Sequence, residues 1–475
     1  MFCQSYHKRG SAQLSTVLLQ DTITAIATPF GTAGVGIIRV SGPKSLEIAR
    51  CIFQPAHKNC PWETHHLYHG DIISADGKTI LDEALVSFMK RPHSFTGEDV
   101  LEINCHGNPL IMKAILTELV ALGCRLAGPG EFSQRAFFNN RIDLSQAEAL
   151  ASMIAAKSAK ACAIGLTQLK GSLTKEIDNL RTLLIDALAL IEATIDFTDD
   201  VAAGDIPQLP PQIDLAALRL QSLLASYRAA KIYTEGINVV ITGKPNVGKS
   251  SLLNTLTGKK KAIVTDIPGT TRDLITDMIN IKGVPVNLVD TAGIREPKDA
   301  IEKEGIALVW ENLANADVVI ILLDGSKPIT VEDKEILQKN KNGNILIAIN
   351  KTDLPRAWET RIIAGFIPPE AKILNISAKF GTGLEELKNI IADSCGSENS
   401  IDVGSAMITN MRHKMALEKA VENILAAKNN ILNGMSPEFA AFDLREALDN
   451  LDEITGKKIN NEILDKIFSS FCIGK

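Results

Sequence analysis

The chain has 475 residues, 45% of them hydrophobic and 22% charged, with a net charge of −6 at pH 7. This composition excludes wholesale disorder and predicts about two to four folded domains. The acidic balance excludes a chain that grips nucleic acid over its whole surface, but not a local basic patch.

Residues 1–20 carry Lys8 and Arg9 ahead of a weak Val17-Leu18-Leu19 run, which makes a poor signal peptide and reads as a flexible extension. Residues 22–40 read as apolar segments split by a glycine-rich turn, Gly31-Thr32-Ala33-Gly34-Val35-Gly36. Short apolar runs at 84–89 and 100–104 predict strands, and helical spacing appears at 109–122. The region 21–139 therefore reads as an α+β domain. From 140 to 232 the spacing of Leu144, Ala147, Leu150, Ile154, Leu180, Leu183, Leu184, Ala187 and Ile191 predicts long amphipathic helices, interrupted by a stretch rich in proline and acidic residues at 198–213. Over 233–396, β-rich runs at 237–242, 284–289, 317–323, 344–349 and 371–376 alternate with helical stretches, the pattern of a mostly parallel sheet. A linker at 396–400 leads into 397–475, where helical spacing returns at 405–432 and 439–454. Ser436-Pro437 is suited to start the second of these helices and Gly456 to end it. The simplest architecture is a multidomain α/β chain in which one domain is inserted between the two halves of a helical domain.

The eight cysteines include no Cys-x-x-Cys pair, so zinc and thioredoxin-like redox sites are not indicated. Scattered thiols predict a reducing compartment, hence a cytoplasmic protein, and no apolar run is long enough to predict a membrane span.

The run at 237–242 leads into Gly243-Lys244-Pro245-Asn246-Val247-Gly248-Lys249-Ser250, then Ser251. This is a phosphate-binding loop between strand and helix. Its glycines let N–H groups curl round phosphate oxygens, the helix N-terminus adds positive potential, Lys249 reaches the β- and γ-phosphates, and Ser250 offers a hydroxyl to Mg²⁺. Asp290-Thr291-Ala292-Gly293 follows a strand, where a carboxylate can hold the metal shell and a glycine N–H can sense the γ-phosphate. Asn350-Lys351-Thr352-Asp353 follows another. Asp353 can accept from guanine N1–H and the exocyclic amine, a pair adenine cannot supply. Ser377-Ala378-Lys379 would close over the base, and Thr270-Thr271-Arg272-Asp273 stands where a switch segment belongs. Together these predict a P-loop GTPase. Many GTPases place a water-orienting glutamine after D-x-x-G, but here the residue is Ile294, so catalysis needs another group. The charged run 295–304 offers candidates, although such runs are usually solvated faces.

The chain resembles the tRNA-modification GTPases called MnmE or TrmE over about 21–475. The resemblance rests on Gly34-Val35-Gly36-Ile37-Ile38-Arg39-Val40-Ser41-Gly42, Ser94-Phe95-Thr96-Gly97-Glu98-Asp99-Val100-Leu101-Glu102, Pro129-Gly130-Glu131-Phe132-Ser133, Asp266-Ile267-Pro268-Gly269-Thr270-Thr271-Arg272-Asp273 and the end Phe471-Cys472-Ile473-Gly474-Lys475. It implies an α+β folate-binding and dimerisation domain, a discontinuous helical domain and an inserted G domain. It further implies a homodimer that works with the FAD-dependent partner MnmG in a heterotetramer. Together they install an aminomethyl-type (carboxymethylaminomethyl) group on C5 of the wobble uridine of certain tRNAs. A tetrahydrofolate one-carbon derivative, Mg²⁺ and K⁺ are the implied cofactors.

By the resemblance, Asn246 and the backbone of Thr265, Ile267 and Thr270 line a K⁺ site, Ser250 and Thr271 bind Mg²⁺, and Glu302 activates water. The loop Thr265-Asp266-Ile267-Pro268-Gly269-Thr270-Thr271 joins the GTP site. Arg39, Glu102 and Arg141 fall on folate-contacting positions, with Lys475 close by; the family often has lysine where this chain has Arg141. Cys472 is a candidate functional thiol. Gly31, Gly34 and Gly36 are in the wrong order for a dinucleotide fingerprint, and His65, His66 and His69 read as a surface cluster with no acidic partner in sequence to complete a metal set. The competing reading is a ribosome-assembly or RNA-binding GTPase switch; such proteins carry a KH domain or a second G domain, and neither pattern is seen here. A weaker one is a dimerisation module with a vestigial GTPase.

Overall fold

The computed structural model describes residues 21–57, 60–196, 211–258, 276–290, 316–339, 344–394 and 404–474. The chain resolves into two compact units. One comprises the chain up to Ala151, Gln168–Leu220 and Met415–Lys475; the other comprises Ser152–Thr167 and Gln221–Lys414.

The first unit holds a seven-stranded sheet in the order β3-β4-β5-β6-β2-β1-β7. Its strands are β1 (Ile23–Ile26), β2 (Ala33–Ser41), β3 (Phe53–Pro55), β4 (Leu67–Ile73), β5 (Ile80–Met89), β6 (Val100–Gly107) and β7 (Arg125–Leu126). The glycine-rich turn is shorter than expected. β2 already begins at Ala33, and a register shift between Ala33 and Gly36 takes up the intervening residues. Helices α1 (Ser45–Ile52) and α2 (Pro109–Ala121) pack on the sheet. Asn108 caps α2 by accepting from the Leu110 N–H, and Pro109 sits in its first turn. α3 (Glu131–Phe138) follows β7.

The same unit holds α6 (Ser172–Asp196), which packs along α12 (Pro437–Thr455). These helices are far apart in sequence, and ion pairs join them: Arg445 to Glu192 at 2.6 Å and Arg181 to Asp452, with Arg181 Nη2 donating to Oδ2 at 3.2 Å. The expected split helical domain is therefore observed. α12 starts at Ser436-Pro437 and stops at Gly456, whose φ of 83° only glycine adopts freely.

The second unit carries the inserted α/β domain. Its six-stranded sheet runs β13-β12-β11-β8-β10-β9. The strands are β8 (Ile237–Thr242), β9 (Thr276–Ile281), β10 (Val284–Asp290), β11 (Val318–Asp324), β12 (Ile345–Asn350) and β13 (Lys372–Asn375). All pairings are parallel except the β9–β10 hairpin. Every residue of β11 and β12 is buried, as expected of central parallel strands covered on both faces. Val318, Ile320 and Leu322 enter one core with Val239 and Ile241, while Val319, Ile321 and Leu323 enter another with Ile347, Ile349 and Trp358. At about 1.5–3 kcal/mol for each fully buried Val, Leu or Ile, this double core makes the strand ends a rigid platform for loops.

Candidate functional site

Two groups of the residues singled out in the sequence come together, one in each unit.

In the second unit β8 ends at Thr242 and the chain turns through Gly243 (φ 147°). Asn246 is left-handed (φ 64°), a conformation asparagine tolerates better than most residues. Gly248 (φ 106°) caps helix α8 (Lys249–Thr257). The turn is closed from inside. Lys249 is 8% exposed, and its Nζ donates to the carbonyls of Gly243 at 2.5 Å and Lys244 at 2.8 Å. A Cβ at Gly248 would collide with Asn350 Nδ2, and one at Gly243 with the Leu322 carbonyl, so both close approaches require glycine.

Asn350 is 3% exposed and ties the loop to the base-side segments. Its Nδ2 donates to the Val247 carbonyl at 2.8 Å, and its Oδ1 accepts from the Ala378 N–H at 2.9 Å. Ser377 Oγ donates to Asp353 Oδ1 at 2.6 Å, which orients the carboxylate. Lys351 Nζ reaches the Asn246 carbonyl at 3.1 Å and Asp324 Oδ2 at 2.6 Å. Lys379 Nζ lies 5.1 Å from the Phe380 ring centroid. Ser250 and Ser251 are exposed in the first turn of α8, and Ser250 Oγ has no hydrogen-bond partner among the described residues. That arrangement suits a phosphate-bound Mg²⁺: a free hydroxyl beside the N–H groups of a helix start.

Thr265, Asp266, Ile267, Pro268, Gly269, Thr270, Thr271, Thr291, Ala292, Gly293, Glu302 and Lys475 lie outside the described residues, and so does the side chain of Asp290. Asp324, which holds Lys351, belongs to none of the recognised motifs. Its only sequence signal is an acidic residue at the end of an apolar run. Burial by itself raises its pKa, but hydrogen bonds from Lys351 and Ser326 outweigh that and hold the carboxyl below the usual range.

In the first unit Arg39 and Glu102 are cross-strand partners on β2 and β6. Arg39 Nε and Nη2 both meet Glu102 Oε1, at 2.8 and 2.6 Å. The guanidinium also lies 5.7 Å from the Phe95 ring centroid and 5.8 Å from that of Phe132. Its Nη1 donates to the Gly474 carbonyl at 3.4 Å. The chain end reaches this point because Ile473 bridges to Pro129 and the Gly130 N–H donates to the Cys472 carbonyl. Cys472 is an exposed free thiol. Arg141 joins from the other side of the 94–99 loop: its Nε donates to the Ser94 carbonyl at 3.0 Å, and its stem lies beside Gly97. Arg141 is exposed, and its Nη atoms have no hydrogen-bond partner among the described residues, which suits capture of a carboxylate. Phe95 and Phe132 stand in quoted motifs, yet sequence reasoning gave them no role.

Behind this site lies a buried ion cluster. Arg135, 2% exposed, donates from Nη2 to Asp21 Oδ1 at 2.5 Å and Glu131 Oε1 at 3.0 Å, and from Nη1 to Glu98 Oε2 at 3.2 Å. Glu98 in turn accepts from Ser41 Oγ at 2.7 Å. Burial raises the Glu131 pKa, but N–H groups of Arg125, Gly128 and Arg135 outweigh it and hold the carboxyl below its ordinary value.

The histidines are exposed, as the surface-cluster reading expects, and two of them have acidic neighbours in space. His66 meets Glu63 at 3.4 Å and His69 meets Glu83 at 2.8 Å, as two separate exposed pairs. Among the described residues no cluster of His, Cys, Asp and Glu could hold a metal ion, and no helix is long and apolar enough to cross a membrane.

The description "MnmE helical domain" matches the chain over residues 144–472, and "GTP-binding protein TrmE N-terminus" over 22–141. The chain belongs to the MnmE family of tRNA modification GTPases. The tRNA modification GTPase MnmE of Syntrophus aciditrophicus is 48% identical over 459 residues, covering 96% of this chain and 100% of that protein. Those of Carboxydothermus hydrogenoformans and Geotalea uraniireducens are 44% and 43% identical with the same coverage. Membership of a GTPase family implies use of GTP and Mg²⁺.

Proposed function

We propose that this chain is a K⁺-activated GTPase that acts on tRNA. In this reading it is a cytoplasmic homodimer joined through the 21–139 domain. With an FAD-dependent MnmG partner it installs a carboxymethylaminomethyl-type group on C5 of the wobble uridine of certain tRNAs. The observation that carries the guanine-nucleotide reading is the Asn350 bridge between the phosphate loop and Ala378, with Asp353 oriented by Ser377.

The phosphate groups would lie against the amides of 246–251 and Lys249, and Ser250 and Thr271 would hold Mg²⁺. Asp353 accepts from guanine, and Asn350, Lys351, Ser377, Ala378 and Lys379 enclose the base. Asp290 and Thr291-Ala292-Gly293 would meet the metal shell and the γ-phosphate. Asn246 with Thr265, Ile267 and Thr270 would hold K⁺, which would supply positive charge where the transition state gains negative charge. Glu302 orients or activates the attacking water, the task Ile294 is chemically unable to perform. In the first unit Glu102 would suit the donor edge of a reduced pterin and the guanidinium groups of Arg39 and Arg141 its glutamyl carboxylates, with Lys475 close by. Cys472 stands next to that site in the chain end.

The test compares GTP turnover at constant ionic strength in KCl and NaCl, for the parent and Asn246→Ala, alongside nucleoside analysis of tRNA from cells lacking the protein. The expected result is a K⁺-specific rise that the variant loses, together with unmodified wobble uridine. Equal rates in both salts would reject K⁺ activation, and unchanged tRNA would reject the modification role.

A further inference from the structure

Two carboxylates that no motif claims, Asp324 at the end of β11 and Asp333 in the helix that follows, each hold a lysine that bears on the phosphate loop. Asp333 is 3% exposed and lies in the first turn of α9 (Val331–Lys339). Its Oδ2 accepts from the N–H and Oγ1 of Thr330, at 2.8 and 2.9 Å, which completes a helix cap. The same oxygen takes Lys244 Nζ at 2.7 Å, and that ammonium also donates to Thr330 Oγ1 at 2.8 Å. Capping needs no lysine, so this second contact calls for its own account. Asp333 Oδ1 is buried with no hydrogen-bond partner among the described residues, which leaves Lys244 as the cation that compensates the carboxylate.

Lys244 also supplies one of the two carbonyls that hold Lys249 Nζ. On the other side of Pro245, the Asn246 carbonyl accepts from Lys351, whose ammonium is held by Asp324. Asp324 is anchored at a core edge, because its carbonyl accepts from buried Trp358 Nε1 at 3.0 Å. The loop is thus held at residue 244 by Asp333 and at residue 246 by Lys351, itself held by Asp324.

We propose that the segment Asp324–Asp333 is a clamp that sets the shape of the phosphate loop, with Asp333 acting through Lys244 and Asp324 through Lys351 as positioning residues for nucleotide binding. The proposal rests on the guanine-nucleotide reading of the site. Its consequence is that nucleotide affinity depends on residues that do not themselves touch the nucleotide.

The experiment measures the Kd of fluorescent GDP and GTP analogues with Mg²⁺ on the full chain, well below the unfolding temperature of each variant. The variants are Lys244→Met, Lys244→Arg, Asp333→Asn, the Lys244→Met/Asp333→Asn double variant and Asp324→Asn. Lys244→Met leaves the helix cap intact and should weaken binding about tenfold, the scale of coupling within one hydrogen-bonded network. Lys244→Arg should restore most of it. The double variant should lose little more than either single change, and Asp324→Asn should weaken binding about threefold. If the parent binds no guanine nucleotide, the reading of the site fails and the clamp falls with it. If the parent binds and all variants bind alike, the clamp alone is refuted. Losses that track lowered unfolding midpoints and that arginine does not rescue would also overturn it, because they describe a merely structural contribution.

Discussion

The phosphate loop draws its main groups from the stretch between Gly243 and Ser250, whereas the N-terminal site joins Arg39 to Gly474, 435 residues away. The loop is held by backbone conformation and by lysines turned onto its carbonyls. The N-terminal site is held by a buried ion cluster, in which Arg135 ties β1's entry, the 94–99 loop and α3 together. Damage to the first site should therefore appear as a change in rate or affinity. Damage to the second should appear first as a change in stability, because a buried charge left without its partner has no access to water.

Three outcomes sharpen or break that contrast. The largest concerns Glu302, the acidic residue expected to replace the missing glutamine. Glu302→Ala should lower GTP turnover about 10²–10⁴-fold while leaving GTP binding and unfolding unchanged, since it removes only a group acting on water. Steady-state turnover and equilibrium binding in KCl measure this, and an unimpaired rate would move the task to another residue.

Arg135→Met should destabilise the N-terminal domain by about 3 kcal/mol, because Glu98 would lose its cation, while Asp21 and Glu131 would keep Arg125. Urea unfolding followed by a probe in that domain measures it, with guanine-nucleotide affinity expected to stay at the parental value. A loss below about 1 kcal/mol, the range of exposed pairs, would mean that the cluster contributes no more than a surface bridge.

The smallest effect is in the pH dependence. The carboxyls of Asp21 and Glu131 lie below their ordinary values of 3.8 and 4.5 despite burial, because Arg125 and Arg135 hydrogen-bond to them. The unfolded chain therefore binds protons first. Their contribution is complete above the ordinary values and is lost as the pH falls through the lower folded ones. Unfolding midpoints measured from pH 6 downward should hold until about pH 4.5 and then fall, and Arg135→Met should flatten that decline. An acid slope unchanged in the variant would remove these carboxylates from the account.

The contrast also explains what could be read in advance. The β-rich runs at 237–242 and 344–349 correspond to β8 and β12, displaced by a residue at most, because strands buried on both faces are continuous apolar runs. β5 begins at Ile80, although only 84–89 stood out, since its first half carries the acidic pair Asp82 and Glu83, which meet His106 and His69. β9 was missed because it lies on the sheet edge, where little burial constrains composition.

From the sequence alone follow the family, the order of its parts and the identity of the phosphate loop, because each rests on neighbouring residues whose spacing and backbone freedom are local properties. Only the tertiary structure could decide that Arg39 meets Glu102 and the chain end, that Arg135 is buried among three carboxylates, and that Asp333 reaches Lys244 of the phosphate loop and Asp324 reaches Lys351 beside it. Such meetings are set by strand register and core packing over long separations, and a carboxylate's role depends on which cation those place beside it.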